Sequence, residues 1–196
     1  VAIHNGRDPF HFAGFEPLKE MISPNFDLEL PQARLNRVIT WTDPDTNYQD
    51  ALNLTSNNCG LGIAMTSTVE NGMSNLDVNV KFAQNYSNLK VVVYVLEDHL
   101  IYKQTNYSNY YNGENYINDF EHNHVLRASL TNLLGDAIAD SSFGNTFTRS
   151  FSVPIPTNVM NNENVSFVAI VTDANNNALN SRAAGSNVDQ TFQENL

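Results

Sequence analysis

The alternation of apolar and polar residues predicts β-strands along most of the chain from residue 61 onward. Between residues 76 and 82, Leu76, Val78, Val80 and Phe82 occupy every second position, with polar residues between them. This period of two is typical of a strand with one buried and one solvent-facing side. Residues 61–69, 125–130, 147–153 and 179–184 show related patterns, and the last of these is expected at a sheet edge.

Two further stretches are apolar at nearly every position and therefore predict interior strands that are buried on both faces. They span residues 89–96, where two acidic residues end the apolar run, and residues 165–172. A short return strand is expected at residues 100–104, directly after the first of them.

The segments between these strands are rich in Asn, Gly and Asp, and none of them has a helical pattern. Seven or eight strands with this spacing predict a mainly β fold, an antiparallel Ig-like β-sandwich over residues 61–184. A closed β-barrel of similar strand count is the alternative. Residues 41–60 are interpreted as a connecting segment, and residues 185–196 as a tail because they lack a period.

The first 40 residues have a different character. A short apolar strand is expected at residues 1–3 and a helix over residues 14–22, with Pro17 in the first turn, where its missing N–H has no cost. Extended segments are expected on both sides of Pro31. This is unusual for a proline, because it cannot donate a hydrogen bond to a strand ladder.

The charge balance narrows the range of partners. The chain has 10 Lys and Arg against 21 Asp and Glu, which gives a formal net charge of −11. Nucleic acids and anionic membrane surfaces require a basic patch, so neither is expected as a partner. No apolar run approaches the roughly 18 residues of a membrane-spanning helix.

The cysteine content and the first residue of the sequence bear on disulfide formation and on processing. The single cysteine, Cys59, excludes an intramolecular disulfide and is interpreted as a small buried residue. The sequence starts at Val1 without a methionine or a signal peptide. We therefore expect it to be a piece of a longer precursor.

Several motifs resemble those of the Omp28 family, outer-membrane-associated lipoproteins of Bacteroidetes. The resemblance rests on VYVLED at residues 93–98 and HNHVLR at residues 122–127, with Gln104 and Gly135. Residues 4–6 and 30–37 resemble the latter half of the thioredoxin-like domain in that family.

The resemblance implies that residues 1–40 are the C-terminal part of a thioredoxin-like α/β domain whose first half is missing. In that context the peptide bond before Pro31 is expected to be cis, and the family's cysteine-containing segment would lie upstream. The resemblance also implies secretion, a lipid anchor at an absent N-terminal cysteine, and location at the outer membrane or cell surface.

Three functional hypotheses follow from these observations. The first is a non-enzymatic surface module that binds a protein or glycan partner through its loops. The second is a thiol–disulfide or peroxide-handling protein whose cysteines lie upstream of this sequence. The third is an accessory subunit of a larger outer-membrane complex.

No catalytic motif of the Gly-x-Ser-x-Gly, Walker or Rossmann type occurs.

The loop expected between residues 105 and 119 is the strongest candidate for a binding site. It contains Tyr107, Tyr110, Tyr111 and Tyr116 among Asn and Ser residues, a composition typical of adaptable recognition loops. The alternative is a loop that folds back and packs on its own sheet.

A weaker candidate is a calcium site at Asp43, Asp45 and Asn47. These residues place oxygen atoms at the first, third and fifth positions of a calcium loop, but Tyr48 and Leu54 occupy the positions of its glycine and glutamate. Asx residues are also common in ordinary turns. No other cofactor is expected.

The segment around His122 and His124 suggests either metal binding or a structural role. Two histidines at i and i+2 of one strand would project to the same face, and Glu121 could help them bind zinc. The alternative, which we favour, is a hydrogen-bond network that anchors the long loop to the sheet, with Arg127 on the opposite face.

Overall fold

The computed structural model describes residues 1–22, 32–41, 44–55 and 60–193, and of residues 44–47 the backbone only. The expectations for Pro31, Asp43 and Cys59 lie outside the described residues.

Thirteen strands and two α-helices make up the described part of the chain. In chain order these are α1 (Glu16–Ile22), β1 (Ala33–Leu35), β2 (Ile39–Trp41), α2 (Pro44–Leu54), β3 (Leu61–Glu70), β4 (Met73–Phe82), β5 (Lys90–Glu97), β6 (Leu100–Thr105), β7 (Tyr116–His122), β8 (Val125–Ser129), β9 (Asp136–Ala137), β10 (Thr146–Pro154), β11 (Val165–Thr172), β12 (Ala178–Gly185) and β13 (Val188–Asp189). Short 3₁₀ turns occur at Tyr111–Gly113 and Asn162–Asn164.

Two antiparallel sheets dominate the molecule. The four-stranded sheet has the order β10-β4-β3-β13, and the five-stranded sheet has the order β12-β11-β5-β8, with β9 also paired to β5. The strands therefore form two separate sheets rather than a single closed one. Two hairpins, β1–β2 and β6–β7, pair outside these sheets.

The main hydrophobic core lies between the two sheets. Strand β4 alternates buried and less buried residues along its length, as the period of two predicts. Its buried side chains, such as Phe82, share one cluster with side chains of β3, β5 and β11, including Met65, Val93 and Phe167. Full burial of such a side chain contributes roughly 1.5–3 kcal/mol, so this cluster is the main source of stability.

The two stretches predicted as interior strands are confirmed as such. Strand β5 lies between β11 on one side and β8 and β9 on the other, and β11 lies between β5 and β12. Strand β5 is buried on both faces because α1 covers the face that points away from the four-stranded sheet. There Leu18 of α1 packs with Val92, Tyr94 and Leu96.

Helix α1 forms over most of the range that the sequence predicts, but α2 was not predicted. Helix α2 lies in the segment interpreted as a connection, and it begins at Pro44, a residue favoured in the first helical turn. Its sequence is mostly polar and lacks a clear apolar stripe, so periodicity gives no signal for it.

Strand β12 lies at a sheet edge as expected, but it is not the last strand. Strand β13 pairs with β3 within the segment interpreted as a tail. A two-residue strand shows no period, and polar contacts hold this one. Thr66 Oγ1 donates to Asp189 Oδ1 at 2.7 Å, and the Val188 N–H donates to Ser67 Oγ at 3.4 Å.

Candidate functional site

The β6–β7 hairpin is separate from both main sheets and is buried only at its base. Leu100 and His122 form the first pair of the hairpin and are both buried. Leu100 packs with Phe10 and Val125. The other residues of both strands are exposed or half-buried. A strand is therefore present at the predicted residues 100–104, but it does not return along β5, because its partner is β7.

The loop of this hairpin spans residues 106–115, which is shorter than the loop predicted at 105–119. Strand β7 begins at Tyr116, so this tyrosine lies on a strand and not in the loop. It pairs with Thr105 at the end of the ladder. Its ring lies under the ammonium group of Lys103, with Nζ 3.6 Å from the ring centroid.

Asn106 organises the backbone of this loop. Its side-chain amide donates to the carbonyl oxygens of Tyr110 at 2.9 Å and Glu114 at 2.8 Å. Its Oδ1 accepts from the backbone N–H of Ser108 at 2.9 Å and from the Ser108 hydroxyl at 2.7 Å. One side chain thus fixes both halves of the loop, so the loop has a defined shape without packing on a sheet.

The tyrosines of the hairpin are exposed to solvent. The exposed fractions are 81% for Tyr107, 78% for Tyr110, 57% for Tyr111 and 47% for Tyr116. Tyr102 on β6 is also exposed, at 46%. The loop therefore does not bury these rings against its own sheet, which was the alternative interpretation. Exposed tyrosines on an ordered loop offer flat apolar faces and phenolic hydroxyl groups to a partner.

Aromatic rings pack around His122 at the base of the hairpin. The His122 ring lies 5.0 Å from the His4 ring, 5.5 Å from the Phe10 ring and 4.8 Å from the Phe120 ring, measured between centroids. Its Nε2 is 3.3 Å from the carbonyl oxygen of Tyr102. Burial, and secondly the proximity of His4, lowers the pKa of His122.

The second histidine, His124, has a different environment. Strand β7 ends at His122, and His124 lies in the two-residue interruption before β8, with a φ of 57° and an exposed side chain. The expectation that both histidines project to one face of a strand is therefore wrong, because the strand is interrupted at residues 123 and 124 and His124 has a left-handed backbone conformation. His124 Nδ1 lies 2.9 Å from Asp98 Oδ1.

Arg127 forms a buried ion pair with the last residue of β5. Its Nε lies 3.0 Å from Glu97 Oε2, and both side chains are almost completely buried. Glu97 Oε1 also accepts from the backbone N–H groups of Met160 and Asn161, each at 2.7 Å. The motif residues around Glu97 and Arg127 thus connect β5, β8 and the loop before β11, which is a structural role.

The calcium expectation receives no direct test from the structure. The backbone of Asp45 and Asn47 is part of helix α2 and not of a loop. Within the described residues, no group of three or more His, Cys, Asp or Glu side chains is arranged to hold a metal ion.

A concave site that the sequence did not predict lies on the face of the five-stranded sheet that points away from the main core. An open cavity of ≈ 560 Å³ is bounded by α1, the β1–β2 hairpin and the outer face of that sheet. Its lining comes from residues far apart in the sequence, such as Ile3, Met21, Arg37 and Ile170. No local pattern could have revealed it.

The fold and the site define a mainly β protein of two antiparallel sheets that carries a projecting tyrosine-rich hairpin. The chain belongs to the Omp28 family: the family model described as outer membrane protein Omp28 matches residues 23–190. This confirms the resemblance inferred from the motifs. It also confirms the expected location at the outer membrane or cell surface, since the family is one of outer membrane proteins.

One solved structure shares the fold of this chain. The chain is similar to HBP35 of Porphyromonas gingivalis, with 14% sequence identity and a TM-score of 0.63. The similarity covers 90% of this chain and 62% of that chain, and at this identity it shows a shared fold alone. No curated protein matches the sequence. Within the described residues, no helix is long and apolar enough to cross a bilayer.

Proposed function

We propose that this chain is a non-enzymatic surface module that binds a protein or glycan partner through the β6–β7 hairpin. The observation that carries this proposal is the set of exposed tyrosines on a loop whose shape Asn106 fixes. Binding residues lie disproportionately on loops that a rigid scaffold holds in position. Fixing the loop before binding reduces the conformational entropy lost on association.

The chemistry of the hairpin suits sugars and extended peptides. Tyrosine rings stack on the apolar faces of sugars and peptide side chains, and the hydroxyl groups accept and donate hydrogen bonds. The Lys103–Tyr116 contact holds one ring in place. Ring contacts of this kind contribute about 1 kcal/mol each, so a site with several of them reaches useful affinity.

The family membership supports two inferences about the domains of this chain. We infer an Ig-like β-sandwich for the two sheets over residues 61–184, because they enclose a single main core. We infer that residues 1–40, which contain α1 and most of the β1–β2 hairpin, correspond to the latter part of a thioredoxin-like domain. A lipid-anchored precursor would hold the hairpin at the cell surface, where the protein could also act as an accessory subunit.

The proposal is tested by measuring how fluorescently labelled protein binds to intact cells of the source organism. The variant Tyr107→Ser with Tyr110→Ser removes the two most exposed rings. If both rings contact the partner, the loss of about 1 kcal/mol for each lowers the affinity by a factor of roughly ten or more. Neither ring contributes to the core, so the fold is expected to persist.

The matched control is Tyr48→Ser, which removes a tyrosine of similar exposure, 61%, on helix α2. This variant is expected to bind as the wild type does. Equal cell binding by the wild type and the Tyr107/Tyr110 variant would contradict the proposal. The class of the partner follows from repeating the measurement after protease or periodate treatment of the cells.

A further inference from the structure

The cavity on the outer face of the five-stranded sheet has an apolar wall. Leu18 and Met21 of α1 and Val168 and Ile170 of β11 are among its lining residues and belong to one apolar cluster. Its volume of ≈ 560 Å³ lies within the roughly 300–1,000 Å³ that is usual for small-molecule sites. It is distinct from the β6–β7 hairpin, because the two sites share no residue.

The charged side chains among the described residues that line this cavity are all basic. Lys19, Arg34 and Arg37 are among its lining residues, and no Asp or Glu is among the described residues that line it. The two acidic residues of α1, Glu16 and Glu20, are exposed to solvent. This is unexpected for a chain with 21 acidic and 10 basic residues. The local charge favours an anionic group in the cavity.

Arg37 is the cation with an incomplete set of partners. Its Nη2 donates to the Tyr94 hydroxyl at 3.0 Å, and that hydroxyl donates to the carbonyl oxygen of Leu133. Its Nη1 is buried and has no hydrogen-bond partner. A buried N–H group of a guanidinium is costly to leave unpaired, and a carboxylate is the partner that it fits best.

The backbone at Arg37 adds a second observation. Asn36 and Arg37, with φ values of 47° and 63°, are the two central residues of a turn that the Val38 N–H closes on the carbonyl oxygen of Leu35, within the three-residue connection between β1 and β2. In turns of this kind the second position is usually glycine, because both residues need a positive φ. An arginine there adopts a strained backbone conformation, and strain of this kind is concentrated at functional sites.

We propose that this cavity binds a long-chain carboxylic acid. The carboxylate accepts hydrogen bonds from Arg37, and the hydrocarbon chain lies along Leu18, Met21, Val168 and Ile170. Arg34, held by a hydrogen bond from its Nε to the carbonyl oxygen of Ile22 at 2.8 Å, adds positive charge beside the carboxylate.

The test uses the full chain and cis-parinaric acid, whose fluorescence rises in apolar surroundings, with its methyl ester as the uncharged probe. The wild type should bind the acid more tightly than the ester. The variant Arg37→Gly removes the guanidinium and supplies the residue that the turn favours. It should bind the acid about tenfold or more weakly, with little change for the ester. Arg149→Gln, which removes a surface charge elsewhere, should bind both probes as the wild type does.

Three results would overturn this assignment. One is that the wild type does not bind cis-parinaric acid. The second is equal affinity of the wild type for the acid and the ester. The third is an unchanged affinity of Arg37→Gly for the acid, with near-ultraviolet circular dichroism showing that the variant has the wild-type fold.

Discussion

At the scale of single residues, the motif that carries the family resemblance is largely structural. Glu97 and Arg127 form a buried ion pair, and His122 lies in the aromatic cluster at the base of the hairpin. Sequence alone indicated that this segment matters, but not which residues meet. The partners of Glu97 include the backbone N–H groups of Met160 and Asn161, more than sixty positions away.

The pKa of His122 gives a prediction about pH. Burial lowers it below its ordinary value of 6.5, so the folded state favours the neutral ring. The unfolded state then binds more protons, and stability falls as pH decreases through about 6.5. Between about pH 8 and about pH 5, the variant His122→Gln should lose less stability than the wild type, as measured by urea unfolding. Parallel pH profiles for the two proteins would contradict this.

The Glu97–Arg127 pair gives a prediction about stability. Arg127→Met leaves the Glu97 carboxylate buried without its cation, so the free energy of unfolding should fall by about 3–5 kcal/mol. The double variant with Glu97→Gln removes the uncompensated charge and keeps an oxygen that can accept from Met160 and Asn161. In urea unfolding, the double variant should therefore be more stable than Arg127→Met. A double variant that is less stable than the single one would contradict this reasoning.

At the scale of elements, the sequence predicted those strands whose patterns are set by burial. Strand β4 alternates because one face is in the core, and β5 is apolar throughout because both faces are covered. Helix α2 and strand β13 escaped prediction because neither has an apolar face of useful length. The separation of the β6–β7 hairpin from the main sheets also could not be predicted, since strand pairing depends on the whole fold.

Asn106 gives a prediction at this scale. Its side chain makes four hydrogen bonds within the loop, so Asn106→Ala should speed amide hydrogen exchange in residues 107–115. The melting temperature should change by less than about 2 °C, because the loop lies outside the core. Asn109→Ala is the matched control, since the structure describes no side-chain hydrogen bond for Asn109. Equal exchange in both variants would show that Asn106 does not fix the loop.

At the scale of the whole molecule, the two-sheet core and the hairpin should differ in stability. The amides of β5 and β11 lie in interior strands beside the main core. Each strand of the β6–β7 hairpin, by contrast, pairs only with the other and is largely exposed to solvent. Hydrogen exchange by mass spectrometry should show β5 and β11 among the slowest-exchanging segments, with residues 106–115 much faster. Similar rates in these segments would contradict the assignment of the core.

The whole molecule also shows what sequence could not provide about the candidate sites. Composition marked residues 105–119 as a recognition loop, but only the fold shows that the rings are exposed. The net charge of −11 gave no sign of a cavity whose charged lining residues, within the described part of the chain, are Lys19, Arg34 and Arg37. These three residues come together only in three dimensions.

The most direct test of recognition through the hairpin is photo-crosslinking on intact cells. A benzophenone amino acid is placed at Tyr107 in one protein and at Tyr48, also exposed, in another. Proteins or glycans that bind the hairpin should form an adduct with the first protein and not with the second. Adducts of equal yield from both positions, or none from Tyr107 on cells that bind the labelled protein, would contradict recognition through the hairpin.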